Sequence, residues 1–469
     1  MGRTLWLDGL RGIASAIVAV FHATECEPIS ILGFLNNSYW DDPPDENRHF
    51  VQLPPIRLLF AGSSMVSLFL VISGYAVSIP IIASRDEHAL NLRFFHRICS
   101  ASTRRVLRIY LPTVTILFIS HLLYFIGVYH WDPPGEEWLS GLEPWKAPLS
   151  HIMHVLRRIL HLLDVTNKCI NNNSGNCLLE DNNITFQLWT MPVEFRGSCA
   201  VYLLIVTLAH WMRRPRLIAL ALVAVYWFYI GQWDLFCFVA GLFLAERDIG
   251  LVPIYEGNGE IELPCHSGNA AQTTFTKLRL ACGKMSETKS FHRACTGFYF
   301  IIGMFLLCMT HRDVGEQTLS PEYMFLYFIR SPNWVDSETL SRSWKSVGAV
   351  LTVFAISRSP LLQSPLNSRP MQFLGKISFP LYLIHPVIYL TFKRPIRNML
   401  WLIATGTPYS SEADAKNYPQ MFIAAWAGSG MICGLIIVGV SEMWYRFVDL
   451  KYLEIGRQFE KWATHEITR

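Results

Sequence analysis

Apolar residues in this chain come in long runs rather than in the short alternations of a soluble fold. A helix that crosses a bilayer needs about 20 mostly apolar residues. Leu58–Ser84, Ile109–Trp131 and Asn417–Ser441 reach that length without one Asp, Glu, Lys or Arg. Shorter apolar stretches lie at Leu5–Thr24, Leu188–Met212, Leu217–Trp233, Leu235–Ala245, Ala294–His311, Ser346–Ser357 and Ile377–Phe392. Together they predict an all-α, polytopic membrane protein of about ten spans, forming one transmembrane domain over residues 1–469 with no separate soluble domain. The two runs flanking Gly231–Asp234 read as a tight helical hairpin, the second being the shortest span of the set. No internal repeat is visible. Met1–Arg3 is too short for the basic region of a cleaved signal peptide, so the first run reads as a retained helix.

One further segment is periodic rather than uniformly apolar. His151–Asp164 spaces Ile152, Val155, Leu156, Ile159, Leu160 and Leu163 helically, with Arg157 and Arg158 opposite. It reads either as an amphipathic helix on the membrane surface or as one packed on the spans.

Composition agrees with this pattern. Charged residues make up 16% of the chain, against about 25% in soluble domains, which excludes a disordered or strongly nucleic-acid-binding chain. The net charge is only +4, so placement matters more than size. With both termini cytosolic, the cytosolic segments hold 25 Lys and Arg and the opposite side 14, as positive-inside orientation requires. The N-x-[ST] sequons at Asn36, Asn172 and Asn183 all fall on the opposite side, the side on which glycosylation occurs. The eleven cysteines show no CxxC pair and no zinc-type spacing, so no metal site is expected. Cys169 and Cys177 flank an Asn/Gly-rich turn on the oxidising side, where a pair could form.

Polar groups within a bilayer are costly and mark function. In LDGLRGIASAIVAVFHA, Arg11 precedes His22 by eleven residues, about 16 Å along a helix, or close to three turns. With Arg11 at the headgroups, His22 lies deep in the membrane on nearly the same face. It is either a general base or a core histidine bonded to a neighbouring helix. Arg105 and Arg108 share one face at the cytosolic mouth, where they suit a phosphate-bearing ligand or simply anchor the helix. Glu194 and Arg196 are two apart, cannot face each other, and each needs a partner elsewhere. His385 precedes Pro386, which kinks the helix and frees a carbonyl. Ser73–Gly74 permits close helix approach.

These same segments resemble one family. LDGLRGIASAIVAVFHA is similar to the opening helix of the acyltransferase-3 family of integral membrane O-acyltransferases, with its Arg-x10-His motif. LFLVISGYAVS, RRVLRIYLP and GKISFPLYLIHPVIY resemble its second-helix Ser-Gly, RxxR and Gly-x-Ile-Ser-Tyr-x-x-Tyr-Leu-x-His segments, with Phe379 in place of Tyr. LWTMPVEFRGS is similar to the fungal branch. In the closing segment Asp449–Leu450–Lys451 stands where Glu-x-Pro is usual. The resemblance, covering residues 7–457, implies an acyl-CoA donor taken from the cytosol and acyl transfer to a hydroxyl. It marks His22 as catalytic, Arg11 as its motif partner, and Arg105 and Arg108 as donor contacts.

Transfer from a thioester to an alcohol needs a base, an oxyanion stabiliser and exclusion of water. His22 fits the base, and no Gly-x-Ser-x-Gly nucleophile motif is present. The expected catalytic set is therefore His22, Arg11 and Glu194, and the substrate-binding set Arg105, Arg108, Ser73 and His385. Acetyl-CoA is the expected co-substrate, with no permanently bound cofactor. The expected acceptor is a lipophilic fungal secondary metabolite, such as a terpenoid or polyketide alcohol, and the expected location an endomembrane such as the endoplasmic reticulum. The rivals are a glycan or lipid acceptor, and a secondary transporter using buried His, Glu and Arg as a proton relay.

Overall fold

In the computed structural model, residues 4–25, 30–88, 91–129, 148–165, 184–249, 289–310 and 319–464 are described. Asn172, Asn183, Cys169 and Cys177 lie outside them. The principal helices are α1 (Leu5–Glu25), α2 (Gly62–His88), α3 (Leu92–Phe125), α4 (Pro148–Leu163), α5 (Thr190–Thr207), α6 (Arg213–Tyr229) and α7 (Trp233–Ile249). They continue with α8 (Lys289–Leu307), α9 (Ser337–Arg358), α10 (Pro360–Leu366), α11 (Arg369–Ile388), α12 (Arg394–Thr405), α13 (Pro419–Trp444) and α14 (Leu450–Thr464). No β-strand occurs among the described residues.

Each of the ten apolar runs overlaps a helix among the described residues. Among the described residues five helical stretches are long and apolar enough to cross a membrane, and a sixth is reached by counting α9 with α10, which bend by 100° at Ser359. That bend has a local cause. Pro360 cannot extend the ladder of α9, and Ser359 caps α10 by accepting from the Leu362 N–H.

Helices overrun the apolar runs that announced them. α3 begins at Leu92, well before Ile109, because its arginines end the apolar pattern without ending the helix. α11 passes through a π-helical turn at Tyr389–Lys393 into α12, and α13 passes through another at Tyr445–Asp449 into α14. The shortest expected span is a full helix, α7, whose residues are buried along nearly its whole length. α4 is amphipathic as expected, but its faces divide differently. Arg158 is buried beside His151, Val155 and Leu162, while Ile152, Leu156, Leu160 and Leu163 are exposed. The helix packs on α3 and still presents an apolar face outward.

The element that positions the site is α1, which runs parallel to α11 and packs along it more extensively than on any other helix. Glycines make this approach close. A Cβ on Gly12 would stand 2.5 Å from the Gly375 N, and one on Gly375 would stand 2.3 Å from the Asp8 carbonyl oxygen. On α2, Gly74 approaches the Phe238 backbone of α7 in the same way, at 2.3 Å from its carbonyl oxygen.

Candidate active site

Ten residues beyond the Gly12–Gly375 crossing, on both helices, stand His22 and His385. Their rings meet: His22 Nδ1 lies 2.7 Å from His385 Nε2, with ring planes 3° apart. This is the geometry of a hydrogen bond lying in the plane of both rings. The other nitrogen of His385, Nδ1, lies 3.0 Å from the Leu381 carbonyl oxygen. A carbonyl can only accept, so His385 Nδ1 donates to Leu381 and His385 Nε2 accepts from His22 Nδ1. That chain puts the basic lone pair of His22 on Nε2. His385 is fully buried, and the Phe186 ring meets His22 edge-on at 4.9 Å.

Neighbouring groups lock the pair. Tyr389, one turn past His385, donates from its hydroxyl to the Ala19 carbonyl at 2.9 Å, and Lys393 Nζ donates to the Ala23 carbonyl at 2.7 Å. The lysine thereby satisfies an orphan carbonyl in the last turn of α1, where a cation also suits the helix dipole. Tyr382, one turn before His385, bonds Thr190 at 2.8 Å and the Gln187 carbonyl at 2.7 Å.

Towards the other end of α1 a cavity of about 120 Å³ opens, walled by Arg11, Ser73, Arg105, Arg108, Glu194 and Tyr382 among others. Five of the helices contribute these side chains. Ser73 donates to Glu194 Oε1 at 2.6 Å, Arg105 is ion-paired with the same oxygen, and Arg105 Nε donates to Ser198 at 3.1 Å. Arg11 lies 3.7 Å from Asp8. Among the described residues Arg108 has no ion-pair partner, although its wall continues into a second compartment with Arg11, Lys376 and Asp449. Asp449 itself accepts from the Trp444 indole at 3.0 Å.

The expected residues therefore assemble in two groups. Arg11, Ser73, Arg105, Arg108 and Glu194 form the cavity, and Tyr382 joins it to the histidine pair. His385, expected to bind substrate, stands against His22; the Gly-mediated parallel crossing brings it there. Ser73 and Gly74 have separate tasks, the serine holding Glu194 and the glycine admitting α7. Glu194 and Arg196 do find separate partners: Arg196 turns away to Gln232 and to Asp234 at 3.7 Å. Sequence reasoning missed Tyr382 and Asp449. The first was visible as a Tyr one turn before His385, and the second as the acidic residue of a weakly matching tail.

A pair of histidines beside an arginine-lined cavity, within a bundle of apolar helices, suits a membrane enzyme that transfers a group from an anionic donor. Comparison with known proteins fixes the chemistry. Residues 4–441 match the family model described as an acyltransferase domain. O-acetyltransferase PaAT-1 of Phomopsis amygdali is 26% identical over 99% of this chain and 85% of its own length. Acyltransferase R4 of a Phoma species is 23% identical over 95% of this chain and 93% of its own. Acyltransferase clz18 of Cochliobolus lunatus is 24% identical over 85% of each. No solved structure matches the chain. The protein is an O-acyltransferase of the membrane, and it belongs to the acyltransferase-3 family, with fungal relatives.

Proposed function

We propose that the enzyme moves an acetyl group from acetyl-CoA, taken from the cytosolic side, to a hydroxyl of a lipophilic secondary metabolite, with His22 as general base. The observation that carries this is the hydrogen-bond chain Leu381–His385–His22, which orients one imidazole through another and sets its tautomer. His22 Nε2 takes the hydroxyl proton as the acceptor oxygen attacks the thioester carbonyl carbon. The C–S bond then breaks, and the imidazolium returns the proton to the departing thiolate. His385 accepts from His22 Nδ1–H throughout, so it steadies the imidazolium without itself changing protonation.

The arginine cavity supports the donor assignment. Arg108 has no ion pair among the described residues and supplies the cation for a CoA phosphate, while Arg105 is held by Glu194 and Ser198. The cavity is small enough that only the thioester end of the donor fits inside, with the nucleotide left at the cytosolic mouth. In this reading about ten helices cross an endomembrane such as the endoplasmic reticulum, both termini face the cytosol, and Asn36 faces the lumen.

The test uses purified full-length enzyme, radiolabelled acetyl-CoA, and an extract of a strain deleted for this gene as the acceptor source. Label should appear in an alkali-labile ester of one extract component. Movement of solutes across sealed vesicles with no such ester would contradict the proposal.

A further inference from the structure

A second cavity, of about 350 Å³, opens at the end of α1 away from the arginine cavity. Its wall includes the Phe21 ring, which lies 5.4 Å from the His22 ring. Arg57, Ser63, Ser341, Arg342 and Lys345 also line it, so it gathers three cations, while Glu338 is its one carboxylate. Ser341 and Lys345 are one turn apart on α9 and therefore share a face.

The charges there do not balance. Glu338 pairs with Arg342 at 2.6 Å, whose guanidinium also lies over the Trp189 and Trp233 rings. Arg57 donates to the Leu35 and Asn36 carbonyls at 3.0 Å each. Burial lowers Arg57 to about 10, which leaves it cationic at neutral pH. Asp41 and Glu322 offset part of the Arg57 charge, but neither lines the cavity. Lys345 is 3% exposed and donates to the Ser63 hydroxyl at 2.9 Å. Among the described residues no carboxylate reaches it within ion-pairing distance. Arg57 Nε, Ser341 Oγ and Arg342 Nη1 are buried polar atoms with no hydrogen-bond partner. A buried lysine among orphaned donors keeps its proton only where an anion completes the set.

We propose that this cavity is the acceptor site, and that it holds the acceptor by an acidic group, a carboxylate bound at Lys345 and Arg342, with the apolar body against Phe21 and the hydroxyl towards His22. The proposal rests on His22 being the base, and it narrows the acceptor to a hydroxylated, carboxylate-bearing amphiphile. The arginine cavity at the other end of α1 remains the donor's, so the two substrates reach the histidine pair from opposite ends.

Binding of radiolabelled decanoate to the full-length protein in phosphatidylcholine nanodiscs tests it without relying on acyl transfer. Unlabelled decanoate should displace the label, and decanol and methyl decanoate should be at least about tenfold weaker, the factor for 1.4 kcal/mol. Lys345→Met should weaken decanoate by at least about thirtyfold, the factor for the 2 kcal/mol lower bound of a buried charge pair. Lys345→Arg should retain binding. If Lys345→Met does not fold, Arg342→Gln serves the same arm. His22→Gln should bind decanoate like wild type, so loss of transfer in that variant leaves the acidic-group proposal standing. Failure of decanoate to bind, equal binding of decanol, or unchanged binding by the Lys345 and Arg342 variants would overturn it. Displacement by phosphatidylserine at the same mole fraction would show a lipid headgroup site and would overturn the acceptor assignment.

Discussion

At the scale of single residues, position in the hydrogen-bond chain separates roles that the sequence left merged. Arg105 and Arg108 occupy one motif, yet Arg105 is committed to Glu194 while Arg108 has no ion pair among the described residues. We therefore expect Arg108→Ala to raise the KM for acetyl-CoA by about ten- to a hundredfold, the range for losing one charge-assisted hydrogen bond of 1.5–3 kcal/mol, with little change in kcat. Arg105→Ala should lower kcat as well, because it releases Glu194 and Ser198. Steady-state kinetics with varied acetyl-CoA distinguishes them; identical effects on KM and kcat in the two variants would contradict the division. His385 is expected to behave as a positioning residue. His385→Ala should lower kcat by about 10²-fold, within the range of one acid–base group, and His385→Gln should recover part of it. Glutamine can still accept from His22 Nδ1–H, so no recovery would show that His385 does more than orient.

At the scale of elements, glycines and prolines decide where the site forms. Gly12 and Gly375 let α1 and α11 touch backbone to backbone, and the histidines ten residues on inherit that distance. Gly375→Ala would force its Cβ against the Asp8 carbonyl, an overpacking of typically about 1–3 kcal/mol. We expect it to lower both the unfolding temperature and kcat, whereas Gly430→Ala, inside α13 with nothing within 4 Å, should leave kcat unchanged and should not lower the unfolding temperature. An outer element gives a pH-dependent case. Burial raises the Glu322 carboxyl, which accepts from Ser38. A raised folded-state value means that its stabilising contribution is full at low pH and is lost as pH rises from the ordinary carboxylate range through the raised one. Thermal unfolding of Glu322→Gln should lack that part of the pH dependence; a profile that matches wild type would exclude the assignment.

At the scale of the whole molecule, apolar run length announced ten of the helices, because a long apolar run has few other uses, while α4 showed only in its periodicity and α10, α12 and α14 carried no apolar run. Run length misplaced the helix ends. The arginines of α3 and the charged residues of α14 break the apolar pattern without breaking the backbone ladder, so helix and apolar run diverge there. The arginine cavity was legible because its residues lie in compact motifs on helices whose facing could be counted. The His22–His385 contact was not, since a spacing of 363 residues carries no periodic signal. Lys345 and Arg342 entered the sequence reading only within the total of 14 Lys and Arg opposite the cytosol, and nothing local shows that α9 turns them inward. Sidedness is testable directly. A reporter fused to the C-terminus should be cytosolic, and Asn36→Gln should remove one glycan seen as a gel-mobility shift; a lumenal C-terminus would invert the assignment of donor and acceptor ends.

The most direct measurement is the turnover of His22→Gln with saturating acetyl-CoA and the wild-type acceptor. Glutamine keeps the size and hydrogen-bonding capacity of histidine but takes no proton, so a structural histidine would tolerate it. We expect turnover to fall by about 10²–10⁴-fold, in protein that still inserts, elutes as wild type and binds acetyl-CoA. The low-pH loss of activity expected of a protonated base should vanish from the residual rate. Turnover above about a tenth of wild type, far outside that range, would contradict general-base catalysis by His22.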